Sequence, residues 1–294
     1  MNKVAIDGAA EIDKIARNVL VGSKAWGKLP TPVDQIISYA DLQIANGVDL
    51  SKVDPGFFTT KLHALQRAVS KVLGAIQLRE KTIYLDLSQK PARQNFIKLH
   101  ETGHGVLPWQ RDTYTWLDDE LSLDPETDVL FEGQASWFAS SALFQLERFE
   151  DEAAKLPLSI KSPLALAKGF GGSRHASLRR YVEKCPKRCA LLVLHPPQKN
   201  GDYAASVRDY FQSHSFTAEF GSIEWPEKCG WDFQFVKETK FGARLHEKGH
   251  IALATAGGQI VTFTYHYFNS TYNVFVLLLP PGEKIRSRTV IVAR

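Results

Sequence analysis

The chain has few cysteines and no long apolar run. Three cysteines among 294 residues are a small and odd number, which argues against a disulfide framework. The thiols are therefore expected to be reduced and structural. The longest apolar runs, such as Val274–Leu279 before Pro280 and Pro281, are far shorter than the roughly 20 residues that a membrane-spanning helix needs.

The first 29 residues also lack the apolar segment of a signal peptide. Asp7, Glu11 and Asp13 place acidic charge early in the chain. We therefore expect a cytoplasmic protein that does not enter the membrane. A hydrophobic content of 44% with 23% charged residues is typical of a folded protein and excludes a disordered one.

One pattern of five residues, His-Glu-x-x-His, occurs twice, at residues 100–104 and 246–250. On a helix, residues four apart share a face, so both imidazoles of the pattern can bind one metal ion. The glutamate between them can accept a proton from an attacking water molecule. The surrounding sequence has to decide whether either copy is such a site.

The first copy lies in a predicted helix. Pro91 is typical of a helix start, residues 92–106 form an unbroken helical pattern, and Pro108 limits it. Zinc enzymes commonly use three protein ligands and leave one position for water. The sequence therefore predicts that His100 and His104 bind Zn²⁺, or another divalent metal, with Glu101 as the catalytic base.

The third ligand is expected on the next predicted helix, at about residues 130–148. Glu132 is the best candidate, because it lies on the first turn of that helix beside the small residue Gly133. Asp118, Asp119 and Asp128 are weaker alternatives in the acidic connection before it.

The second copy lacks this context. It lies among strand-like residues, and residues 247–249 are predicted to form the turn of a hairpin loop. In an extended strand, His246 and His250 would lie roughly 13 Å apart, too far to share one ion. No metal role is predicted for this copy.

The remaining pattern indicates helices first and strands later. Helices are predicted at about residues 32–45 and 56–75, and a strand at 82–87. From Cys189 onward, β-branched and aromatic segments predict strands at residues 190–194, 231–236, 251–254, 259–268 and 272–279.

The residues around the first copy resemble the ImmA/IrrE family of metallopeptidases, over about residues 29–181. The shared patterns are Pro-Val-Asp at 32–34, Arg-x-x-Phe-x-x-x-His-Glu-x-Gly-His at 93–104, and Glu-x-x-Ala-x-x-Phe-Ala at 132–139. The family's third zinc ligand opens the last pattern and corresponds to Glu132. The sequence departs from the family pattern in two places. Ser136 stands where Asn is usual, and residues 142–145 stand where Leu-Met-Pro usually ends the helix. These departures do not change the metal ligands, but they affect the pocket wall.

The resemblance, together with the strand pattern after Cys189, implies an α+β fold in three parts. Residues 1–155 would form a mainly helical, zincin-like metallopeptidase core with a small sheet. Residues 156–188 would form a basic segment similar to a helix-turn-helix, and residues 189–294 a β-rich or α+β C-terminal domain that senses a signal or binds a partner. Family members are cytoplasmic proteases that cut helix-turn-helix repressors and release mobile-element or stress-response genes.

The basic character of the chain is concentrated in its middle. Residues 161–188 contain eight Lys or Arg residues against one acidic residue. Weak DNA contact through Arg174, Arg179 and Arg180 is one interpretation. The other interpretation is that the helical pair packs against the peptidase core with a solvated basic face, or docks an acidic protein partner. Gly172 at the usual apolar turn position favours it.

The sequence thus favours a zinc-dependent endopeptidase whose substrate is a helix-turn-helix repressor. The alternative is a regulatory protein that binds DNA, a repressor or a ligand and has a structural or inactive metal site. Hydrolysis of another bond is a third possibility. No residue is identified as the oxyanion stabiliser, and Tyr114, His175 and several Arg residues are equally unsupported candidates.

Overall fold

The computed structural model describes residues 6–52, 74–116, 123–197 and 203–284. The helices in these ranges are α1 (Ala9–Gly22), α2 (Val33–Tyr39), α3 (Pro91–Val106), α4 (Pro108–Trp116), α5 (Pro125–Leu143), α6 (Glu147–Ala154), α7 (Lys161–Phe170), α8 (Arg174–Glu183), α9 (His214–Phe220) and α10 (Gln234–Lys240). The strands are β1 (Gln43–Asp49), β2 (Gly74–Gln77), β3 (Thr82–Leu85), β4 (Ala190–Leu194), β5 (Ala205–Gln212), β6 (Lys228–Cys229), β7 (Leu245–Ala254), β8 (Ile260–Asn269) and β9 (Val274–Leu279). The predicted α+β class is confirmed.

Contacts within the chain define two compact units. The first comprises Met1–Phe149 and Lys168–Ser173, and the second comprises Glu150–Ala167 and Arg174–Arg294. The segment 156–188, predicted as a separate piece, is divided between the two units, and its helix α8 packs on β4 and β5 of the second unit. The roles assigned to the three predicted domains stay a prediction. Within the ranges given above, no helix has the length and apolar character needed to cross a membrane.

The first unit contains a three-stranded sheet with the order β1-β3-β2. Strand β3 confirms the predicted strand at 82–87, and it runs parallel to β1 and antiparallel to β2. The predicted helix at 32–45 is wrong beyond Tyr39, because Gln43 and Ile44 pair with Thr82 and Ile83 of β3 instead. The predicted helix at 56–75 lies almost entirely outside the described residues.

Helices α3 and α5 begin as local sequence signals require. Pro91 occupies the first turn of α3, where a missing backbone N–H costs nothing. The carboxylate of Asp124 caps α5 by accepting hydrogen bonds from the backbone N–H groups of Glu126 and Thr127, at 3.1 and 3.0 Å. Helix α5 ends at Leu143 rather than at 148, because Gln145 and the next residue adopt positive φ.

A close crossing of α3 and α5 determines the position of the pentapeptide. A Cβ atom added to Gly103 would lie 3.2 Å from Ala135 Cα and 3.2 Å from the ring of Phe138. A side chain here would push its neighbours on α5 away by a few tenths of an ångström, so the glycine allows the two backbones to approach this closely. Leu99, Phe138 and Ala139 are fully buried around this crossing and belong to the core of the first unit. Residue 132 is consequently held one turn away from the crossing, on the side of the two histidines.

The second unit is built on a six-stranded antiparallel sheet with the order β6-β5-β4-β9-β8-β7. Every residue of β4 and β9 is buried, which fits their central position. The strands predicted at 190–194, 251–254, 259–268 and 272–279 are present as β4, β7, β8 and β9. The strand predicted at 231–236 is wrong, since Phe235 and Val236 are buried on helix α10.

The second pentapeptide lies inside strand β7, so the predicted hairpin loop is wrong. The strand continues through it with a β-bulge between His246 and Gly249. A Cβ atom on Gly249 would lie 2.0 Å from the ring of Tyr265 on β8, so the glycine allows the two strands to pair here. His246 stacks on Tyr267 and lies with its Nε2 2.8 Å from Glu238 Oε2. These contacts give the pentapeptide a structural role.

Glu247 of this pentapeptide accepts hydrogen bonds from Lys161 Nζ, at 2.8 Å, and from Ser159 Oγ. Burial opposes its ionisation, but these hydrogen bonds outweigh burial and lower its pKa below the usual value. A lowered pKa stabilises the fold above the unfolded-state pKa, and the stabilisation is lost as pH falls through the folded-state pKa. We expect Glu247→Gln to lower the free energy of unfolding at pH 7 by up to about 1 kcal/mol.

The difference between wild type and Glu247→Gln should shrink as pH falls below the usual range of a glutamate, because the wild-type carboxylate then becomes protonated. Urea unfolding at several pH values measures this. A difference that is independent of pH would show that the charge of Glu247 contributes nothing.

Candidate metal centre

The structure brings together the three predicted metal ligands on two helices. His100 and His104 lie one turn apart on α3, and their Nε2 atoms are 3.2 Å from each other. Glu132 extends from the second turn of α5, with its carboxylate oxygens 3.2 Å from His100 Nε2 and 3.5 Å from His104 Nε2. Both imidazoles are buried, whereas the side chain of Glu132 is 31% exposed. The three donors therefore face one point.

The spacing of these donors fits a tetrahedral zinc ion. Ligand atoms bonded to zinc at about 2.0–2.2 Å in a tetrahedron lie roughly 3.3 Å from one another. The two Nε2 atoms lie 3.2 Å apart, and each has a different oxygen of the Glu132 carboxylate nearby, Oε2 at 3.2 Å from His100 and Oε1 at 3.5 Å from His104. Two imidazoles and one carboxylate are also a donor set that zinc accepts.

The alternatives to Glu132 are not supported. Asp128 lies on α5 one turn earlier, but it does not belong to the group of side chains that converge. Asp118 and Asp119 lie outside the described residues. In the ranges that the structure covers, the group has three members, and no fourth His, Cys, Asp or Glu joins it. One position of a tetrahedral ion would remain for water or substrate.

A glutamine fixes the orientation of His104. Gln110, at the start of α4, is fully buried, and its Oε1 lies 2.8 Å from His104 Nδ1. Its Nε2 donates to the carbonyl oxygen of Phe131, at 3.1 Å, and to Gln134 Oε1, at 2.9 Å. A carbonyl can only accept, so Oε1 must face His104 and Nδ1 must donate to it. The lone pair of His104 is thereby placed on Nε2, where a metal would bind.

The hydrogen-bond network continues from Gln110 to Gln134. Gln134 Oε1 also accepts from the indole N–H of Trp109, at 2.8 Å, and its Nε2 donates to the carbonyl oxygen of Asp7, at 3.1 Å. An indole nitrogen only donates, so the orientation of Gln134 is determined as well. The tautomer of His104 thus depends on a buried chain of groups with fixed donor and acceptor roles.

Ser136 contacts Nδ1 of His100, as Gln110 contacts Nδ1 of His104. Its Oγ lies 3.2 Å from His100 Nδ1. This position is one of the two where the sequence departs from the family pattern, and it was assigned above to the pocket wall. The structure shows instead that Ser136 contacts His100, one of the predicted ligands, at the ring nitrogen opposite the one that faces Glu132.

Glu101 lies beside the three donors in a buried niche. A Cβ atom on Gly74 of β2 would lie 3.2 Å from Glu101 Oε1, so the strand backbone closes one side of the niche. Burial raises the pKa of Glu101, and the neighbouring His100 and His104 only partly offset this. Burial by itself would lower the pKa of His104, but hydrogen bonds to Glu132 and Gln110 and the charges of Glu101 and Glu132 together outweigh burial and raise it.

The two side chains considered as oxyanion stabilisers lie in different places. Tyr114, on α4, has its ring 5.6 Å from the ring of His104 in an edge-to-face arrangement. His175 lies in the second unit, with its ring 5.8 Å from that of Phe275. Of the two, Tyr114 is the one beside a metal ligand.

We expect Gln110→Ala to weaken zinc binding by about 10–100-fold, because groups that orient a metal-binding histidine contribute to affinity on this scale. Competition with a chromophoric zinc chelator measures the change. Gln94→Ala is the matched control, since Gln94 is on α3 but donates to the carbonyl oxygens of Leu87 and Gln89. Equal affinity of the two variants would show that the contact with His104 does not matter.

Comparison with known proteins agrees with this geometry. Residues 55–181 match the model of the family described as the IrrE N-terminal-like domain, Peptidase_M78. The match includes both histidines of α3, Glu101 and Glu132. These residues are therefore similar to an IrrE N-terminal-like domain. The resemblance stated from the sequence patterns is thereby confirmed.

Other comparisons concern the fold. A Mycobacterium tuberculosis transcriptional regulator of known structure is similar with a TM-score of 0.53, over 93% of this chain and 77% of that chain, at 13% sequence identity. Such a low identity shows a shared fold alone. No protein with a curated description matches the chain. The IrrE N-terminal-like domain and its group of donors support a metallopeptidase-like or regulatory role.

The three arginines considered for DNA contact lie on α8, outside the group of metal donors. The guanidinium groups of Arg174 and Arg179 lie over the rings of Phe268 and Phe211, at 5.3 and 5.0 Å. Arg180 forms an ion pair with Glu150 at 3.5 Å. These contacts favour packing of α8 within the second unit as the role of the three side chains.

Sequence reasoning missed Gln110 and Gln134, and it did not connect Ser136 with a ligand. A buried glutamine six residues after the second histidine is a weak signal in a sequence. Its meaning depends on the turn between α3 and α4, where Arg111 N–H donates to the Leu107 carbonyl at 2.9 Å and α4 folds back toward the site.

Proposed function

We propose that this chain is a zinc-dependent endopeptidase and that its substrate is a helix-turn-helix transcriptional repressor, whose cleavage releases gene expression. His100, His104 and Glu132 would hold the ion, and Glu101 would act as general base and acid. The proposal deepens the metallopeptidase-like role that the family match supports.

One observation carries the enzymatic part of the proposal. Two imidazoles and one carboxylate converge closely enough to hold one metal ion, and a buried carboxylate lies next to them. A structural zinc site uses four protein ligands and has no need of an adjacent base. Within the described residues the group offers three, as a hydrolytic site requires.

A bound zinc ion would supply Lewis acidity, which lowers the pKa of water and polarises the scissile carbonyl. Glu101 accepts the proton of the attacking water at its carboxylate and later delivers it to the leaving amine. The burial of Glu101 excludes bulk water from this proton transfer. Gln110 keeps His104 in the tautomer that presents Nε2.

The substrate class rests on the resemblance to the ImmA/IrrE family, whose members cut helix-turn-helix repressors. It is tested by incubating the zinc-loaded protein with the helix-turn-helix repressors encoded near its gene. We expect discrete fragments from one of them, and no fragments after addition of a chelator or with the Glu101→Gln variant.

A library of quenched fluorescent peptides separates the two parts of the proposal. Cleavage of peptides without cleavage of any repressor would retain the endopeptidase and reject the substrate class. Fragments that form equally with chelator present, or with Glu101→Gln, would come from another protease and would reject both.

A further inference from the structure

Three aromatic side chains form a cluster at one end of strands β5 and β6 in the second unit. Ala205 pairs with Cys229, so the antiparallel register, continued in the same direction, places Tyr203 opposite Trp231. Their rings lie 5.9 Å apart in an edge-to-face arrangement. Phe241, directly after α10, extends the cluster with its ring 6.3 Å from that of Trp231. We call these three side chains the aromatic corner.

The aromatic corner is open to solvent, although its rings are large and apolar. Trp231 is 42% exposed and Phe241 is 78% exposed, whereas Tyr203 packs against the core of the second unit. Exposed aromatic side chains that lie together commonly mark a binding site. The rings of Tyr203 and Trp231 stand at 80° to each other, so a ligand between them contacts two rings at once.

A positive charge of the chain itself already lies in the aromatic corner. The ammonium group of Lys240, the last residue of α10, lies over the ring of Trp231, 4.8 Å from its centre. The same ammonium group lies over the ring of Tyr203, 5.3 Å from its centre. Both distances are within the roughly 6 Å over which the face of an aromatic ring attracts a cation. The corner is therefore arranged to hold a cation between two rings.

The fold fixes the helix that carries this cation, but the cation itself can leave. The hydroxyl group of Tyr265 donates to Glu238 Oε1 at 2.8 Å, and Thr239 Oγ1 lies 2.8 Å from the hydroxyl oxygen of Tyr267. These contacts hold the last turn of α10 on β8. The side chain of Lys240 is exposed, and cation–π contacts at exposed sites are weak. Another cation can therefore displace it without a change of the fold.

We propose that the aromatic corner is a binding site for a quaternary ammonium group, such as that of choline, which displaces Lys240. A primary ammonium group is strongly hydrated, and it loses this hydration when it lies against a ring. A quaternary ammonium group presents methyl groups instead, so both its charge and its apolar surface favour the ring faces. The site is independent of the proposed peptidase activity, and its test does not need that activity.

Calorimetric titration of the full-length protein with choline, at constant ionic strength, tests the proposal. Neohexanol is the matched ligand, because it has the shape of choline with an uncharged carbon in place of the nitrogen. Choline should bind at least about tenfold more tightly than neohexanol. Lys240→Ala should bind choline about two- to fivefold more tightly than wild type does, since it removes the competing ammonium group.

Equal affinity for choline and neohexanol in both wild type and Lys240→Ala, including no binding of either, would overturn the proposal. This outcome needs no change to a ring, so it does not depend on how a ring variant folds.

A ring variant locates the bound cation. Trp231→Leu should weaken choline binding by about tenfold. Tyr39→Leu is the matched control, since Tyr39 is 53% exposed on α2 of the first unit, and it should bind choline as wild type does. Circular dichroism shows whether each variant is folded. Wild-type affinity of Trp231→Leu would place the cation elsewhere and would also overturn the proposal.

Two sources of a quaternary ammonium group are distinguished by a second titration. A peptide with trimethyllysine is compared with the same peptide carrying unmodified lysine, and with choline. Tighter binding of the trimethyllysine peptide than of choline would identify a methylated protein as the source. Tighter binding of choline would identify a small molecule. Equal affinity for the modified and unmodified peptides, together with no binding of choline, would count against the site.

Discussion

Glu101→Gln is expected to lower the rate of peptide cleavage by about 10²–10⁴-fold, the usual contribution of general acid–base catalysis. Glutamine has nearly the same shape as glutamate, so it fits the niche against Gly74 without a new cavity. It cannot accept the proton of the attacking water. The metal ligands are untouched, and zinc content should stay at one ion per chain.

The measurement combines kcat on the repressor or peptide that wild type cleaves with zinc content by mass spectrometry. Glu247→Gln is the matched control, because it makes the same change in the other pentapeptide, within β7. It should retain wild-type kcat. Wild-type cleavage by Glu101→Gln would reject Glu101 as the base and favour a regulatory protein with a structural ion.

Glu132→Ala is expected to weaken zinc binding by more than about 100-fold, beyond the range found for residues that only orient a ligand. Glu132 supplies one of three donors, and two imidazoles on one helix bind a zinc ion poorly without it. Zinc should also stabilise the wild type against heat, by about 4 kcal/mol when zinc is present at a thousand times its dissociation constant. This stabilisation should be absent from Glu132→Ala.

His104→Ala and His250→Ala provide a matched pair for this experiment, since each removes the last histidine of a pentapeptide. His104→Ala should lose zinc, and His250→Ala should bind one ion with wild-type affinity. His250 is exposed on β7 and pairs through its backbone with Thr264. Loss of the ion from His250→Ala, or its retention by Glu132→Ala, would contradict the assignment.

Parts of the fold that depend on local signals could be predicted from the sequence. Pro91 and the pattern after it predict α3, and a continuous apolar run predicts β4. Parts that depend on tertiary pairing could not. Residues 43–45 read as the end of a helix, but they belong to β1, which pairs with β3 in the sheet. The segment after Trp231 has strand-forming aromatics, but it continues into α10 with its apolar residues against the sheet.

The convergence of His100, His104 and Glu132 was predictable, because metal-binding chemistry leaves few choices of residue type and spacing. The glutamines that orient His104, directly or through one another, could not be predicted. Gln110 comes into contact with His104 only because α4 folds back after Leu107, and Gln134 is oriented by the distant Asp7. The second pentapeptide has the same His-Glu-x-x-His pattern but a structural role. It contains a β-bulge, and His246 stacks on Tyr267.

Anomalous scattering at the zinc edge from crystals of the zinc-loaded protein tests the central assignment most directly. One peak is expected, bonded to Nε2 of His100, Nε2 of His104 and the carboxylate of Glu132, with water in the fourth position. A fourth protein side chain in that position, or a peak at residues 246–250, would contradict a hydrolytic zinc site in this chain.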